Sequence, residues 1–179
     1  MPESKSSLPG WVVVGLTAVL AITAVVQLVV FVESQRAFVA PTSTKFAEQL
    51  VAGMDKFRLQ IELRNSGRST ATIKELRARI LEVLPDEPPQ FQANIYAMPP
   101  VAPGGTVRSD LKFEAGWDED FTNGVLSGSR NLHMYGVIKY EDVFSSLGFG
   151  PKETGFCYIY VAAAAGFQNC PEIPYTYTK

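Results

Sequence analysis

Histidine and cysteine are scarce in this sequence, and their scarcity limits the catalytic and metal-binding sites that it can form. The 179 residues include one histidine, His133, and two cysteines, Cys157 and Cys170. Neither Cys-x-x-Cys nor His-x₃-His spacing occurs, so no local segment assembles a zinc or copper site. A Ser–His or Cys–His catalytic pair would have to use His133. We therefore expect no enzyme activity, no cofactor and no metal, and interpret His133 as a half-buried structural residue on a strand.

A strong charge imbalance is also missing. The sequence has 16 basic and 18 acidic residues, which gives a formal net charge of −2. Proteins that bind nucleic acid usually present a basic patch or stripe, and no such cluster occurs here. Gly104-Gly105 is not followed by the Lys-Ser/Thr of a phosphate-binding loop and is interpreted as a turn. Nucleic acid is therefore excluded as an expected partner.

Two polar stretches come close to functional motifs without completing them. Aligned as a calcium loop, the acidic run 118–120 is followed by Asn123 at the position that needs glycine and by Ser129 at the position that needs glutamate. The stretch Ser127-Gly128-Ser129 lacks the Gly-x-Ser-x-Gly pattern of a nucleophile elbow. We predict an exposed, solvated loop across Gly116–Arg130.

What the sequence does contain is one uninterrupted apolar run, Trp11–Val32, with no charged residue. A helix needs about 20 apolar residues to cross the roughly 30 Å hydrocarbon core of a membrane. A core helix of a small domain would carry a polar face, which this run lacks. A cleaved signal peptide would have a basic start and a shorter apolar run, whereas Lys5 is here opposed by Glu3. We predict a retained transmembrane helix over residues 10–32, preceded by a short polar tail over 1–9.

The charged residues on either side of the apolar run do not show on which side of the membrane the rest of the chain lies. Lys5 precedes the run, and Arg36 and Lys45 follow it, a difference of one residue that does not decide orientation. Arg36 is interpreted as an interfacial anchor at the membrane surface.

Residues 33–56 are interpreted as a juxtamembrane linker. Pro41-Thr42-Ser43-Thr44 is typical of a break in regular structure. A short helix over Phe46–Ala52 and an edge strand near Ala37–Val39 are both compatible with the composition, and the sequence does not choose between them.

The clearest strand of the chain is Phe57–Arg64. Its apolar residues alternate strictly with polar ones, which is the period of a half-buried strand. Asn65-Ser66-Gly67 follows, with residues that tolerate positive φ, so we predict a hairpin-like reversal there. Thr70–Leu84 fits both a helical period and a strand period. Its position directly after a strand and turn favours a second strand.

Several further short strands are predicted with turn residues between them, at Phe91–Ala97, Thr106–Ala115, Leu132–Tyr140 and Thr154–Val161. No regular β-α-β alternation occurs, so the pattern indicates a mainly β, antiparallel sandwich over residues 57–165, followed by a C-terminal tail over 166–179. Cys157 and Cys170 would form a disulfide in an oxidising compartment. In a reducing compartment they would be a buried thiol and a surface thiol.

Three short segments carry a resemblance to a known group: Asn65–Ala71 (NSGRSTA), Gly136–Phe144 (GVIKYEDVF) and Thr154–Cys157 (TGFC). They resemble the turn and the final paired strands of uncharacterised bacterial proteins that have one N-terminal span and an immunoglobulin-like β domain. The resemblance implies a single span followed by an immunoglobulin-like sandwich. We expect the protein in the inner membrane, with the periplasm slightly favoured as the side of the β domain. The resemblance implies no established activity.

The physical role expected for the residues of these segments is structural. Asn65 and Gly67 would form a turn, and Asp142 would cap turn amides at the end of a strand by accepting hydrogen bonds. We rank this interpretation above a binding site.

The function predicted from the sequence is a membrane-anchored β-sandwich module for protein interaction or scaffolding. Its expected partners are the lipid bilayer and either an unidentified protein or a second copy of the chain. One alternative is an accessory or assembly factor that handles a soft metal through Cys157 and Cys170. A second alternative is an unrecognised enzyme.

Overall fold

The computed structural model describes residues 9–51, 54, 56–83, 91, 93–96, 98–114, 117–171 and 177–178. The regular elements within these ranges are helices α1 (Gly10–Gln35) and α2 (Glu119–Ser127) and strands β1 (Val39–Phe46), β2 (Lys56–Asn65), β3 (Thr72–Leu81), β4 (Ala93–Tyr96), β5 (Thr106–Glu114), β6 (His133–Glu141), β7 (Lys152–Val161), β8 (Gly166–Asn169) and β9 (Tyr177–Thr178). Single 3₁₀ turns follow β6 and β7. The chain divides into two compact units, one ending at Gln35 and the other, called here the β domain, beginning at Arg36.

Helix α1 is long and apolar enough to cross a membrane. Its 26 residues extend about 39 Å at 1.5 Å per residue, and its only buried residue is Val32. The hydroxyls of Thr17 and Thr23 donate to the carbonyls of Val13 and Val19, one turn earlier, at 2.9 and 2.8 Å. Because these hydroxyls have partners within the helix, the two threonines leave no unsatisfied donor in an apolar environment.

The β domain consists of two antiparallel sheets that pack as a sandwich. One sheet has the strand order β1-β2-β5, and the other has the order β4-β3-β6-β7-β8, with β9 also paired to β7. The tyrosine Tyr158 on β7 links the two sheets, because its hydroxyl donates to the carbonyl of Pro41 on β1 at 3.1 Å. The predicted fold class, a mainly β protein with an N-terminal apolar helix and an antiparallel sandwich, is confirmed.

Alternating side chains fill the space between the sheets. Phe57, Leu59, Ile61 and Leu63 of β2 are fully or almost fully buried, as the strict period of two predicts. The ambiguous segment 70–84 forms β3 over Thr72–Leu81, so the strand interpretation is confirmed for its described residues. Leu132, Met134, Ile138 and Tyr140 also contribute to this core, which confirms the face predicted for the strand that begins near residue 132.

The reversal after β2 differs from the hairpin predicted at Asn65-Ser66-Gly67. Strand β2 pairs with β1 and β5, whereas β3 pairs with β4 and β6 in the other sheet. The segment between β2 and β3 therefore crosses from one sheet to the other. The hairpin prediction is wrong because periodicity identifies the strands but carries no information about which strands pair.

Two segments interpreted as linker and tail contain strands of the sandwich. Strand β1 lies inside residues 33–56 and pairs with β2, with a register shift between Pro41 and Ser43. Strands β8 and β9 lie inside residues 166–179 and pair with β7. The edge strand that the sequence allowed near Ala37–Val39 overlaps β1 at Val39. Strands β8 and β9 were missed because they lack an alternating apolar pattern and because β9 pairs over only two residues. The predicted domain boundaries at 57 and 165 are therefore too narrow.

The predicted loop Gly116–Arg130 contains helix α2. The side chain of Asp118 caps its start by accepting a hydrogen bond from the amide of Phe121 at 2.7 Å, and Gly128 ends it with φ of 79°. Phe121 and Val125 are one turn apart and both are buried. The acidic run that suggested a solvated loop is instead the favourable negative first turn of a short helix.

Candidate functional site

The strongest polar constellation in the β domain lies at its first residue. The guanidinium of Arg36 donates from Nε to Asp142 Oδ2 at 3.1 Å and from Nη2 to Asp142 Oδ1 at 3.3 Å. The two side chains are 4% and 0% exposed, so this is a buried, two-point ion pair. The sequence interpretation of Arg36 as an interfacial anchor is wrong, because its charge is paired inside the β domain. We call Arg36, Asn65, Gly67, Asp142 and Ser145 the Arg36 cluster.

The remaining donors of Arg36 hold the loop that follows β6. Nη1 donates to the carbonyl of Phe149 at 3.1 Å, and Nη2 donates to the carbonyl of Gly150 at 2.6 Å and to Ser145 Oγ at 3.2 Å. Gly148 and Gly150 adopt φ of 94° and 70°, which lets the chain turn so that these carbonyls converge on one guanidinium. One side chain thus binds the carboxylate and several parts of the loop together.

Asp142, which the sequence predicts to cap a turn, accepts hydrogen bonds from the loop that follows β6 and from the segment that precedes β1. Its Oδ1 accepts from the amides of Phe144 and Ser145 at 3.1 and 3.0 Å, and its Oδ2 accepts from the amide of Ala37 at 3.0 Å. Burial by itself raises the pKa of this carboxyl, but the hydrogen bonds from Arg36 and from the Ala37 amide outweigh it and hold the pKa below its ordinary value. Asp142 is therefore an ionised structural acceptor.

Asn65 uses its side-chain amide to join three separate segments. Its Oδ1 accepts from the amides of Phe38 and Gly67, at 3.2 and 3.0 Å. Its Nδ2 donates to the carbonyls of Ser69 and Val101, at 2.8 and 2.9 Å. Asn65 is fully buried, so both donors and both acceptor sites of the amide have partners in the protein.

Gly67 is required for close approach and not for positive φ. The described residues with positive φ include Gly104, Gly128, Gly148 and Gly150 but not Gly67. A Cβ at Gly67 would overlap the carbonyl oxygen of Arg36 and the backbone nitrogen of Phe38, and it would lie 2.6 Å from the Cα of Ala37. The backbone around residue 67 thus packs directly on the first residues of the β domain.

We predict that Gly67→Ala lowers the free energy of unfolding of the β domain by about 3 kcal/mol, because the added methyl meets backbone that has no space to move. The matched control is Gly166→Ala, where the nearest atom to the new Cβ is the Ala164 carbonyl oxygen at 3.6 Å. Urea unfolding in detergent, followed by the fluorescence of Trp117 in a Trp11→Phe background, measures both. Equal stability of the two variants would contradict the close-approach role.

Cys157 and Cys170 form a disulfide between β7 and β8, with a Cα–Cα distance of 5.3 Å. The amide of Cys170 also donates to the carbonyl of Cys157 at 3.0 Å. Cys157 packs with Tyr135 and Val137 in a small apolar cluster separate from the main core. A disulfide sulfur is not a thiolate, so the soft-metal alternative has no free cysteine ligand in this structure.

The other residues tested for chemistry do not converge. His133 is buried, and its Nδ1 lies 3.1 Å from the carbonyl of Glu82. Ser127 and Ser129 lie at the end of α2, where both hydroxyls donate to the carbonyl of Gly124. Within the part of the chain that the structure describes, no group of three His, Cys, Asp or Glu side chains is placed to hold a metal ion.

A groove of about 570 Å³ lies between β1 and the pair β7 and β8. Phe38, Tyr158 and the disulfide contribute to its lining, and none of the described lining residues is charged. Burial raises the pKa of the Tyr158 phenol to about 12, so this hydroxyl stays protonated and keeps its hydrogen bond to Pro41. The groove offers an apolar surface and no acid–base group.

Comparisons with known proteins add little to this geometry. No protein-family model matches the sequence, and no curated protein matches it. A crystal structure of a protein from Archaeoglobus fulgidus is similar over 75% of this chain and 100% of its own length, with 12% sequence identity and a TM-score of 0.42. A likeness at that level carries no argument about function. The resemblance to bacterial single-span proteins stays a prediction.

Proposed function

We propose that this chain is a single-span membrane protein whose immunoglobulin-like β-sandwich serves as an interaction or scaffolding module in the bacterial envelope. The observation that carries the proposal is the succession of α1 and the Arg36 cluster. Helix α1 ends at Gln35, and the next residue is already buried in the β domain. A folded module thus begins at the residue that follows an apolar, membrane-length helix.

The use of the polar groups in the Arg36 cluster supports a structural role over a catalytic one. The carboxylate of Asp142 and the amide of Asn65 are engaged in hydrogen bonds within the protein. A catalytic acid, base or ligand-binding group needs an accessible side chain with an open bonding position. Groups that are buried and fully bonded instead fix the positions of the segments that they join.

The disulfide supports placement of the β domain outside the cytoplasm. Disulfides persist in oxidising compartments such as the periplasm and are rare in the reducing cytosol. The proposed location is therefore the inner membrane with the β domain on the periplasmic side. The β domain would then bind a partner protein, or a second copy of the chain, in the envelope.

We predict that Cys157 and Cys170 are oxidised when the full chain is made in a bacterial host. Cells are quenched in acid, and the denatured protein is treated with a maleimide–polyethylene glycol reagent with and without prior reduction. The expected result is no adduct without reductant and two adducts after reduction. Two adducts without reductant would place the β domain in a reducing compartment and contradict the proposed side of the membrane.

A further inference from the structure

The part of the β6–β7 loop that follows Asp142 exposes large apolar side chains and contains no charged residue. Residues 143–151 read VFSSLGFGP. Val143 is 62% exposed, Leu147 is 68% exposed and Phe149 is 37% exposed. We call residues 143–149 the apolar loop. Large apolar side chains that are exposed as a group usually mark a contact surface.

Three of the exposed large apolar side chains of the β domain come from this one loop. Among the described residues of the β domain, seven large apolar side chains are exposed: Phe38, Val51, Val83, Leu126, Val143, Leu147 and Phe149. Four of the seven belong to the apolar loop or to Phe38, two residues after Arg36. Arg36 bonds to the carbonyl of Phe149, and the neighbouring amide of Ala37 bonds to Asp142, so both segments are fastened to the same residues.

The connectivity of the chain keeps the residues that bind this loop close in sequence to the apolar run. Only Glu33, Ser34 and Gln35 separate the apolar run that ends at Val32 from Arg36. The residues that hold the apolar loop are thus the first residues of the β domain after the apolar helix. Because chain length limits how far Arg36 can lie from the end of the run, the loop that it binds is kept within the same short reach.

Several backbone groups of the apolar loop already have hydrogen-bond partners within the protein, which favours a medium poor in water. The amides of Phe144 and Ser145 donate to Asp142 Oδ1, and the amides of Leu147 and Phe149 donate to the carbonyl of Phe144 at 3.0 and 3.4 Å. The carbonyls of Phe149 and Gly150 accept from Arg36. The hydroxyl of Ser146 donates to the carbonyl of Val143 at 2.8 Å. These bonds satisfy part of the loop backbone internally, which lowers the cost of placing it at the apolar side of a membrane interface.

We infer that the apolar loop inserts Val143, Leu147 and Phe149 into the interface of the bilayer that α1 spans. The inference rests on the proposed membrane anchoring. A lipid surface is the occupant that fits, because residues 143–149 carry no charge and are bonded to Arg36, a few residues from the anchor. The β domain is then held at the membrane by two contacts, the helix and this loop.

Tryptophan at position 147 tests the inference in the full chain. The protein with Trp11→Phe and Leu147→Trp is reconstituted in vesicles of phosphatidylcholine with and without bromine on the acyl chains. The matched control carries Leu126→Trp on α2, which is 43% exposed and outside the apolar loop. Val143→Trp gives a second reading in case one substitution disturbs the loop. Trp117 provides the same background emission in all variants.

The expected result is that brominated lipid lowers the added emission at positions 147 and 143 about twofold or more and leaves that at position 126 unchanged. Unquenched emission at both loop positions, in protein that floats with the vesicles, would overturn the inference while leaving the anchor intact. Emission that changes with protein density in the vesicle and not with bromination would identify a second copy as the occupant and also overturn it. Protein that fails to float would contradict the anchor itself, and the inference with it.

Discussion

Replacing Asp142 with alanine is expected to lower the free energy of unfolding of the β domain by about 3–5 kcal/mol. The substitution leaves the guanidinium of Arg36 buried without its counter-charge, and it removes the acceptor of the Ala37, Phe144 and Ser145 amides. An uncompensated buried charge is among the most destabilising changes that a single substitution makes. Urea unfolding followed by Trp117 fluorescence measures the loss.

Arg36→Met is expected to lower the free energy of unfolding of the β domain by less than Asp142→Ala does. It keeps an apolar side chain in place of the arginine stem and leaves the carboxylate with its three backbone donors. In the double variant the loss should be smaller than the sum of the two single losses, because neither buried charge remains without its partner.

Glu114→Ala is the matched control. It breaks an ion pair with Lys56 that is almost fully exposed, and we expect a change within about 0.5 kcal/mol. Additive losses at positions 36 and 142 would contradict the pairing.

The same ion pair predicts a dependence on pH with a defined sign. Because the folded-state pKa of Asp142 lies below its unfolded value, the unfolded chain binds the proton more readily. The stabilisation from Asp142 is therefore fully present above about pH 4 and is lost as pH falls through the folded-state pKa. The difference in unfolding free energy between the wild type and Asp142→Asn should shrink from pH 7 to pH 3. A difference that stays constant would contradict an ionised Asp142.

Two arginines in the middle of α1 are expected to abolish membrane insertion. Each arginine at the centre of a spanning helix costs about 2.5–3.5 kcal/mol on insertion scales, so Leu20→Arg with Ala24→Arg costs about 5–7 kcal/mol. Both positions are exposed in the structure, so their replacement removes no packing contact from the β domain. Membrane and soluble fractions are separated by ultracentrifugation and probed for the chain.

Ser34→Arg is the control for this experiment, since an arginine near the end of a helix extends to the membrane surface at little cost. We expect the control to stay in the membrane fraction and the double variant to leave it or to be degraded. If the double variant stays membrane-bound as completely as the control, α1 is not the anchor.

Much of the fold could be predicted from the sequence because it is expressed in local patterns. Strand β2 has one buried and one exposed face, and its sequence indicates this directly through the alternation of Phe57, Leu59, Ile61 and Leu63 with polar residues. The 22 residues of Trp11–Val32, none of them charged, likewise have few structural interpretations. Such patterns need no information about distant parts of the chain.

The Arg36 cluster could not be predicted because its essential contact joins residues 106 positions apart. Asp142 is visible in the sequence as a turn residue, but nothing local indicates that its partner is Arg36. The position of Arg36 just after an apolar helix instead favours the ordinary role of an interfacial arginine. Long-range pairing was also the reason for the wrong hairpin at Asn65-Ser66-Gly67.

Helix α2 was missed for a different reason. The sequence contains the signals of a helix, but the composition of the segment favoured a loop. Asp118 three residues before Phe121, with Val125 one turn later and Gly128 at the end, is a readable cap, apolar face and stop. The acidic and glycine content of the segment indicates a loop on composition alone. Spacing, not composition, carried the correct information there.

Membrane anchoring by α1 can be decided by the intact mass of the chain recovered from alkaline-washed membranes. Alkaline carbonate removes proteins that only adhere to a membrane and leaves spanning proteins in the pellet. If α1 anchors the chain, the expected product is a pelleted protein of 19.6 kDa, which retains α1 together with the β domain. A soluble protein whose mass lacks the apolar run would show that residues 11–32 are removed, and it would contradict the membrane anchor.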